Sequence, residues 1–188
     1  MGHLEPGGAA GAALTAVRRC ALAAGAALTL LGACAQAETV ACDVQLNITD
    51  QDPAGLNVRA APAGAVITSL KARNRWVQVD VTGVDGAWAR IEKATFISED
   101  NAGGTVIFHR LGWVAFSKLG IEELNPQSTI FAAPRDDAQV LLRINEGDEA
   151  KIPAAEVLGC EGTWLKVRVS GKVGWTQNFC SNQFTTCV

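Results

Sequence analysis

The sequence predicts an all-β protein assembled from two diverged copies of one small β-module. Three observations predict it. Two stretches carry the same punctuation of proline, glycine and tryptophan in the same order. Around these anchors apolar and polar residues alternate with a period of two, as in strands covered on one side. Beyond residue 37, no stretch sustains a long helical period.

In chain order, residues 1–37 read as a targeting segment. Arg18 and Arg19 precede an apolar run from Cys20 to Leu31 that is too short to span a bilayer permanently. Two processing sites are legible. Ala35-Gln36-Ala37 before Glu38 offers the small residues that a general signal peptidase accepts, and this is the favoured reading. Leu31-Gly32-Ala33-Cys34 is similar to a lipobox, with Cys34 as the lipidated residue. Glu5, Pro6 and several glycines before Val17 are unlike a signal n-region, which gives the hypothesis that translation starts at Val17. A precursor peptide covering residues 1–16 would refute it.

The first module is expected over residues 38–124. Its repeat opens with Leu56-Asn57-Val58-Arg59-Ala60-Ala61-Pro62, reaches Gly86-Ala87-Trp88-Ala89-Arg90-Ile91 and closes on Gly112-Trp113-Val114. Val77, Val79 and Val81 alternate with Gln78, Asp80 and Thr82, a half-buried strand. Ser117 to Leu124 has room for one or two helical turns, and Asn125-Pro126-Gln127-Ser128 breaks it as the linker.

The second module, over 125–188, repeats the plan with Thr129-Ile130-Phe131-Ala132-Ala133-Pro134, Gly162-Thr163-Trp164 and Gly174-Trp175-Thr176. Trp164, Lys166 and Arg168 fall on one strand face and Leu165, Val167 and Val169 on the other. Ser170-Gly171-Lys172 supplies a tight turn. The copies differ in one spacing: Trp88 and Trp113 lie 25 positions apart, Trp164 and Trp175 only 11. The extra residues predict an extended β-hairpin over about 93–110, with strands at Thr95–Ser98 and Thr105–His109 around Glu99–Gly104. Phe96 and Phe108 on this hairpin either face a partner or pack on the second module, the packing reading being favoured.

Modules of this size have marginal cores and gain from disulfides or from a docked neighbour. Removal of residues 1–37 leaves Cys42, Cys160, Cys180 and Cys187 as an even framework suited to an oxidising compartment. Since three of the four lie in the second copy, a fully paired set must tie the modules together. Which of the three connectivities occurs stays open.

The full chain has a net charge of −3, and loss of Arg18, Arg19 and Glu5 leaves 14 basic and 18 acidic side chains, near −4. Such a chain has no basic stripe for nucleic acid or anionic membranes. Catalysis has few candidates. His109 is the one histidine of the processed chain and reads as a surface or edge residue. Adjacent pairs such as Glu122-Glu123 and Asp136-Asp137 do not face each other as catalytic carboxylates must. Asp43, Asp50 and Asp52 lack the glycine and closing glutamate of a calcium loop, and no Cys-x2-Cys pair suggests zinc. The reading is a non-enzyme with no metal and no cofactor.

The order Leu-Asn-Val-Arg-Ala-Ala-Pro, an apolar pair at Val66-Ile67, Gly-x-Trp and Gly-Trp-Val resembles the bacterial SH3 (SH3b) module, closely in the first copy and less so in the second, where Thr129-Ile130-Phe131 replaces the lead. The resemblance implies two small, partly open SH3-like barrels in tandem. It implies attachment to peptidoglycan or capture of an extended peptide, in the periplasm or outside a bacterial cell, or as an outer-membrane lipoprotein if Cys34 is lipidated. The groove residues expected to hold such a ligand are Asp52, Asn57, Arg59, Trp76, Trp88 and Trp164, since aromatic-lined grooves hold extended peptides by stacking and desolvation. Trp113 and Trp175 are expected in the core or groove wall. The competing reading is an assembly factor that docks on an envelope protein and binds no small ligand.

Overall fold

The structure, a computed structural model, describes residues 38–144 and 155–181, and in them alternating apolar residues fold mostly into strands. Residues 1–37, expected to be a targeting segment that includes Cys34, and Cys187 lie outside the described residues. The protein is all-β and barrel-like. It is built from a strongly curled seven-stranded sheet, a five-stranded sheet and a two-stranded pair. Among the described residues the one helical element is a single 3-10 turn, Phe116–Lys118, at the start of the stretch where one or two turns were expected. No helix among them is long and apolar enough to cross a membrane.

The first sheet contains β1 (Val40–Ile48), β2 (Leu56–Arg59), β3 (Val66–Leu70), β4 (Trp76–Asp85), β5 (Trp88–Ser98), β6 (Asn101–Ala115) and β7 (Leu119–Gly120). After β8 (Glu123–Leu124), the second contains β9 (Thr129–Phe131), β10 (Val140–Arg143), β11 (Glu156–Glu161), β12 (Trp164–Val169) and β13 (Lys172–Thr176), and β14 (Phe179–Cys180) follows. The first sheet has the order β3-β2-β6-β5-β4-β1-β7, the second β10-β9-β13-β12-β11, and β8 pairs with β14. The repeat reaches the level of register. Arg59 faces Trp113 as Phe131 faces Trp175, and Arg90 faces Trp113 as Lys166 faces Trp175. A bulge between Val81 and Gly83 recurs between Val157 and Gly159, and one between Val58 and Arg59 has its counterpart in the β9–β10 pair. Both β4–β5 and β11–β12 turn through a glycine with positive φ, 55° at Gly86 and 54° at Gly162, a conformation glycine adopts without steric cost.

The Gly-Trp signature has a packing cause. A Cβ on Gly112 would come within 2.3 Å of Val58 Cγ1, and one on Gly174 within 2.5 Å of Ile130 Cγ2 and 2.6 Å of the Phe131 carbonyl oxygen. Each glycine therefore lets the closing strand cross directly over the strand that opens its copy. The next residue, a tryptophan, then lies on the opposite face.

The sheets part company after Ile91 and Gly112. In the second sheet β12 and β13 close at Ser170-Gly171, whose φ values of 48° and 74° are both positive as a tight hairpin turn requires. In the first, β5 and β6 continue to a turn at Glu99-Asp100, and Ser98 pairs with Asn101. Asn101 to Gly104 thus belong to β6, where the sequence suggested loop; register shifts along β6 absorb the extra residues by bulging.

One cluster of buried side chains runs through both sheets, with Leu46, Val58, Ile91 and Val114 on one side and Ile130, Leu165 and Val167 on the other. The sheets are also joined covalently by a Cys42–Cys160 disulfide across 118 positions of sequence. Around it β1 meets the β11–β12 turn, the Asp43 amide donating to the Gly162 carbonyl at 2.7 Å and the Gly162 amide to the Ala41 carbonyl at 2.8 Å. Cys180 is disulfide-bonded as well. Gln78, on the side of β4 opposite Val77 and Val79, is nevertheless buried, and its amide donates to the Ser181 hydroxyl at 2.7 Å.

Candidate functional site

The duplicated register carries four equivalent side chains to the outer face of each sheet: Arg59, Trp88, Arg90 and Trp113 in the first, Phe131, Trp164, Lys166 and Trp175 in the second. Each tryptophan follows or precedes a buried residue on its strand, so alternation turns it outward. None of the five tryptophans is fully buried. Trp113 and Trp175 are accordingly half-buried walls flanked on both sides by strand neighbours.

The two copies fill this face differently. In the first, the Arg59 guanidinium lies 5.6 Å from the centre of the Trp88 ring and donates to the Gly64 carbonyl at 2.7 Å. In the second, Phe131 stands edge-on to Trp164, with ring centres 5.6 Å apart and planes at 88°. The result there is a cleft of about 240 Å³ walled by Phe131 and Trp164 and rimmed by Gln127, Asp136, Gln177 and Asn178. Its volume is below the roughly 300–1,000 Å³ of small-molecule sites, so it suits one side chain of a longer ligand. Behind the rim, Asn125 donates to the Asn178 side chain at 2.7 Å, and the Ser128 hydroxyl lies 2.6 Å from the Asn178 carbonyl, fixing the position of that residue.

In the first sheet Arg59 lies over Trp88, Asn57 is exposed on β2 opposite Ser69, and Trp164 begins β12 as Trp88 begins β5. Asp52 lies apart and exposed, its carboxylate accepting from the Ala54 amide at 2.8 Å and so shaping its own turn. Trp76, half-buried, lines a separate cleft of about 370 Å³ with Asn47, Gln51, Arg75 and Glu122. Phe108 is only 7% exposed and packs into the core near Gly112. Phe96 is half-buried against the same core beneath the Arg75 guanidinium, 4.3 Å from its ring centre. Phe131 was not singled out in the sequence. Its signal was positional, since it occupies the place of Arg59 ahead of Ala-Ala-Pro.

A second feature escaped the sequence. Gln45, Asp80, Lys93 and His109 are successive cross-strand neighbours on β1, β4, β5 and β6. Asp80 accepts from Gln45 at 3.0 Å and pairs with Lys93 at 2.6 Å, forming a polar row across a cleft of about 410 Å³. Its members come from four strands, so no local motif announces it. Among the described residues no group of three or more His, Cys, Asp or Glu side chains is arranged to hold a metal ion.

The cystine pair is compatible with an oxidising compartment. No protein-family model matches the chain, and no curated protein and no solved structure matches it at a significant level.

Proposed function

We propose that this is an exported, non-catalytic binding protein that holds an extended peptide, of which a peptidoglycan stem peptide is the leading example. The observation that carries this reading is the cleft beside the edge-on Phe131–Trp164 pair, on a face where the first copy sets Arg59 over Trp88. A one-side-chain pocket with aromatic walls and a hydrogen-bonding rim on a rigid sheet suits a ligand whose backbone continues beyond the pocket. The likeness of the repeat to SH3b modules, the targeting segment and the disulfide agree with a periplasmic or secreted location.

Sedimentation of the processed protein with insoluble peptidoglycan sacculi tests the proposal. Wild type is expected in the pellet, and Trp164→Ala in the supernatant. Trp88→Ala should have the smaller effect, because the Trp88 face is already occupied by Arg59. Sedimentation unchanged by Trp164→Ala would remove this cleft from consideration.

A competing role as an assembly factor that docks on an envelope protein has one observation in its favour. Val106, Ile107 and Leu111 on β6 are 52%, 45% and 61% exposed, an unusual apolar run for a hairpin extending from its sheet. Failure to sediment with sacculi, together with an envelope protein lost on Ile107→Ser, would favour that role.

A further inference from the structure

We infer that the Phe131–Trp164 cleft is a pocket for a cationic side chain, a primary ammonium or guanidinium carried by the ligand. This rests on the peptide-binding reading and deepens it. The first copy shows how this surface holds a cation. There a guanidinium lies 5.6 Å from the Trp88 ring centre while the carbonyl two residues beyond Pro62, that of Gly64, accepts its proton at 2.7 Å. Cations are attracted to the faces of aromatic rings at such distances.

The second copy keeps the tryptophan and the oxygen but not the cation. Trp164 stands in the place of Trp88, and two residues beyond Pro134 the oxygen is supplied by Asp136, a carboxylate instead of a carbonyl. Phe131 replaces Arg59, turning the internal cation into a second aromatic wall. Among the described residues no lysine or arginine lines the cleft. Nearby, Arg135 pairs with Asp137 at 3.1 Å and Arg143 reaches the Thr129 hydroxyl at 3.4 Å, so each is directed to another group. Two rings at 88° and an exposed carboxylate without an ion pair among the described residues form a surface complementary to positive charge. The low volume, about 240 Å³, restricts the occupant to a single side chain.

The test uses the processed full chain, 15N-labelled, titrated with N-acetyl-lysine methylamide and with its uncharged counterpart N-acetyl-norleucine methylamide. Binding is read at the Trp164 indole N–H, assigned from Trp164→Phe. A saturable shift is expected with the lysine probe, in the millimolar range set by one ion pair and one cation–π contact, and a response about fivefold weaker with norleucine. Asp136→Asn should weaken the lysine response by about fivefold, and raised salt should do so for wild type. Phe131→Arg should abolish it by installing the internal cation that Arg59 provides in the first copy. Equal responses to both probes, or none to lysine, overturn the inference, as does an undiminished response in Phe131→Arg. If Trp164-dependent sedimentation with sacculi persists in that case, only the cation assignment falls; if sedimentation also fails, the peptide reading falls with it.

Discussion

Removing the Cys42–Cys160 bridge should lower stability more than any other single change on the surface between the two sheets. The two residues are 118 positions apart, and closing a loop of that length restricts the unfolded chain by about 4.9 kcal/mol at 25 °C in the chain-entropy account. In a domain of this size 1 kcal/mol moves Tm by about 2–4 °C. Cys42→Ala, Cys160→Ala and the double variant should therefore melt about 10–20 °C below wild type, followed by far-UV circular dichroism or calorimetry. A bridge cannot be half removed, so the three variants should melt nearly together. Two simple packing losses would instead add, since both side chains are buried, at 7% and 4% exposure. A shift below about 2 °C, or additive shifts in the two single variants, would refute the claim that the covalent tie between the copies stabilises the fold.

Other expectations follow from packing and hydrogen bonding. Gly174→Ala should destabilise by about 1–3 kcal/mol in urea titration, and more than Gly112→Ala, because its new methyl meets a backbone carbonyl oxygen and not only a side-chain methyl. Gly86→Ala meets no atom within 4 Å and should cost only the strain of a positive φ, about 1–2 kcal/mol. Ser181→Ala leaves the buried Gln78 amide without its acceptor and should cost about 1–3 kcal/mol, a loss that Gln78→Leu in the same background should largely restore. Leu165→Ala, in the core of the second sheet, should cost about 2–5 kcal/mol and also weaken sacculus binding by loosening Trp164 beside it.

Much of this protein was legible in one dimension because its information is local. The alternation of Trp164, Lys166 and Arg168 with Leu165, Val167 and Val169 assigns strand faces directly, and the recurrent Gly-x-Trp and Gly-Trp pairs mark the same turn and the same crossing twice. Comparing the copies also located the place where they differ, since a spacing of 25 against 11 leaves residues that only a longer hairpin accommodates. Arg59, Trp88 and Trp164 lie on equivalent outer faces of the two sheets. Asp52 and Trp76 fall elsewhere, because nearness in sequence to a motif does not place a side chain on the same face of a curled sheet.

Contacts between distant strands were decided only by the tertiary structure. Even cysteine numbers required a tie between the copies, yet only the approach of β1 to the β11–β12 turn selects Cys160 for Cys42. Phe108 alternates with exposed neighbours on β6 and turns inward, where it packs beside Gly112. The polar row from Gln45 to His109 draws on four strands. The sequence by itself determined the strands, their turns and the duplication, because backbone geometry and periodic burial act over a few residues. The aromatic wall of the second copy's cleft depended on how Phe131, in the place of Arg59, packs against a tryptophan more than thirty residues further along the chain.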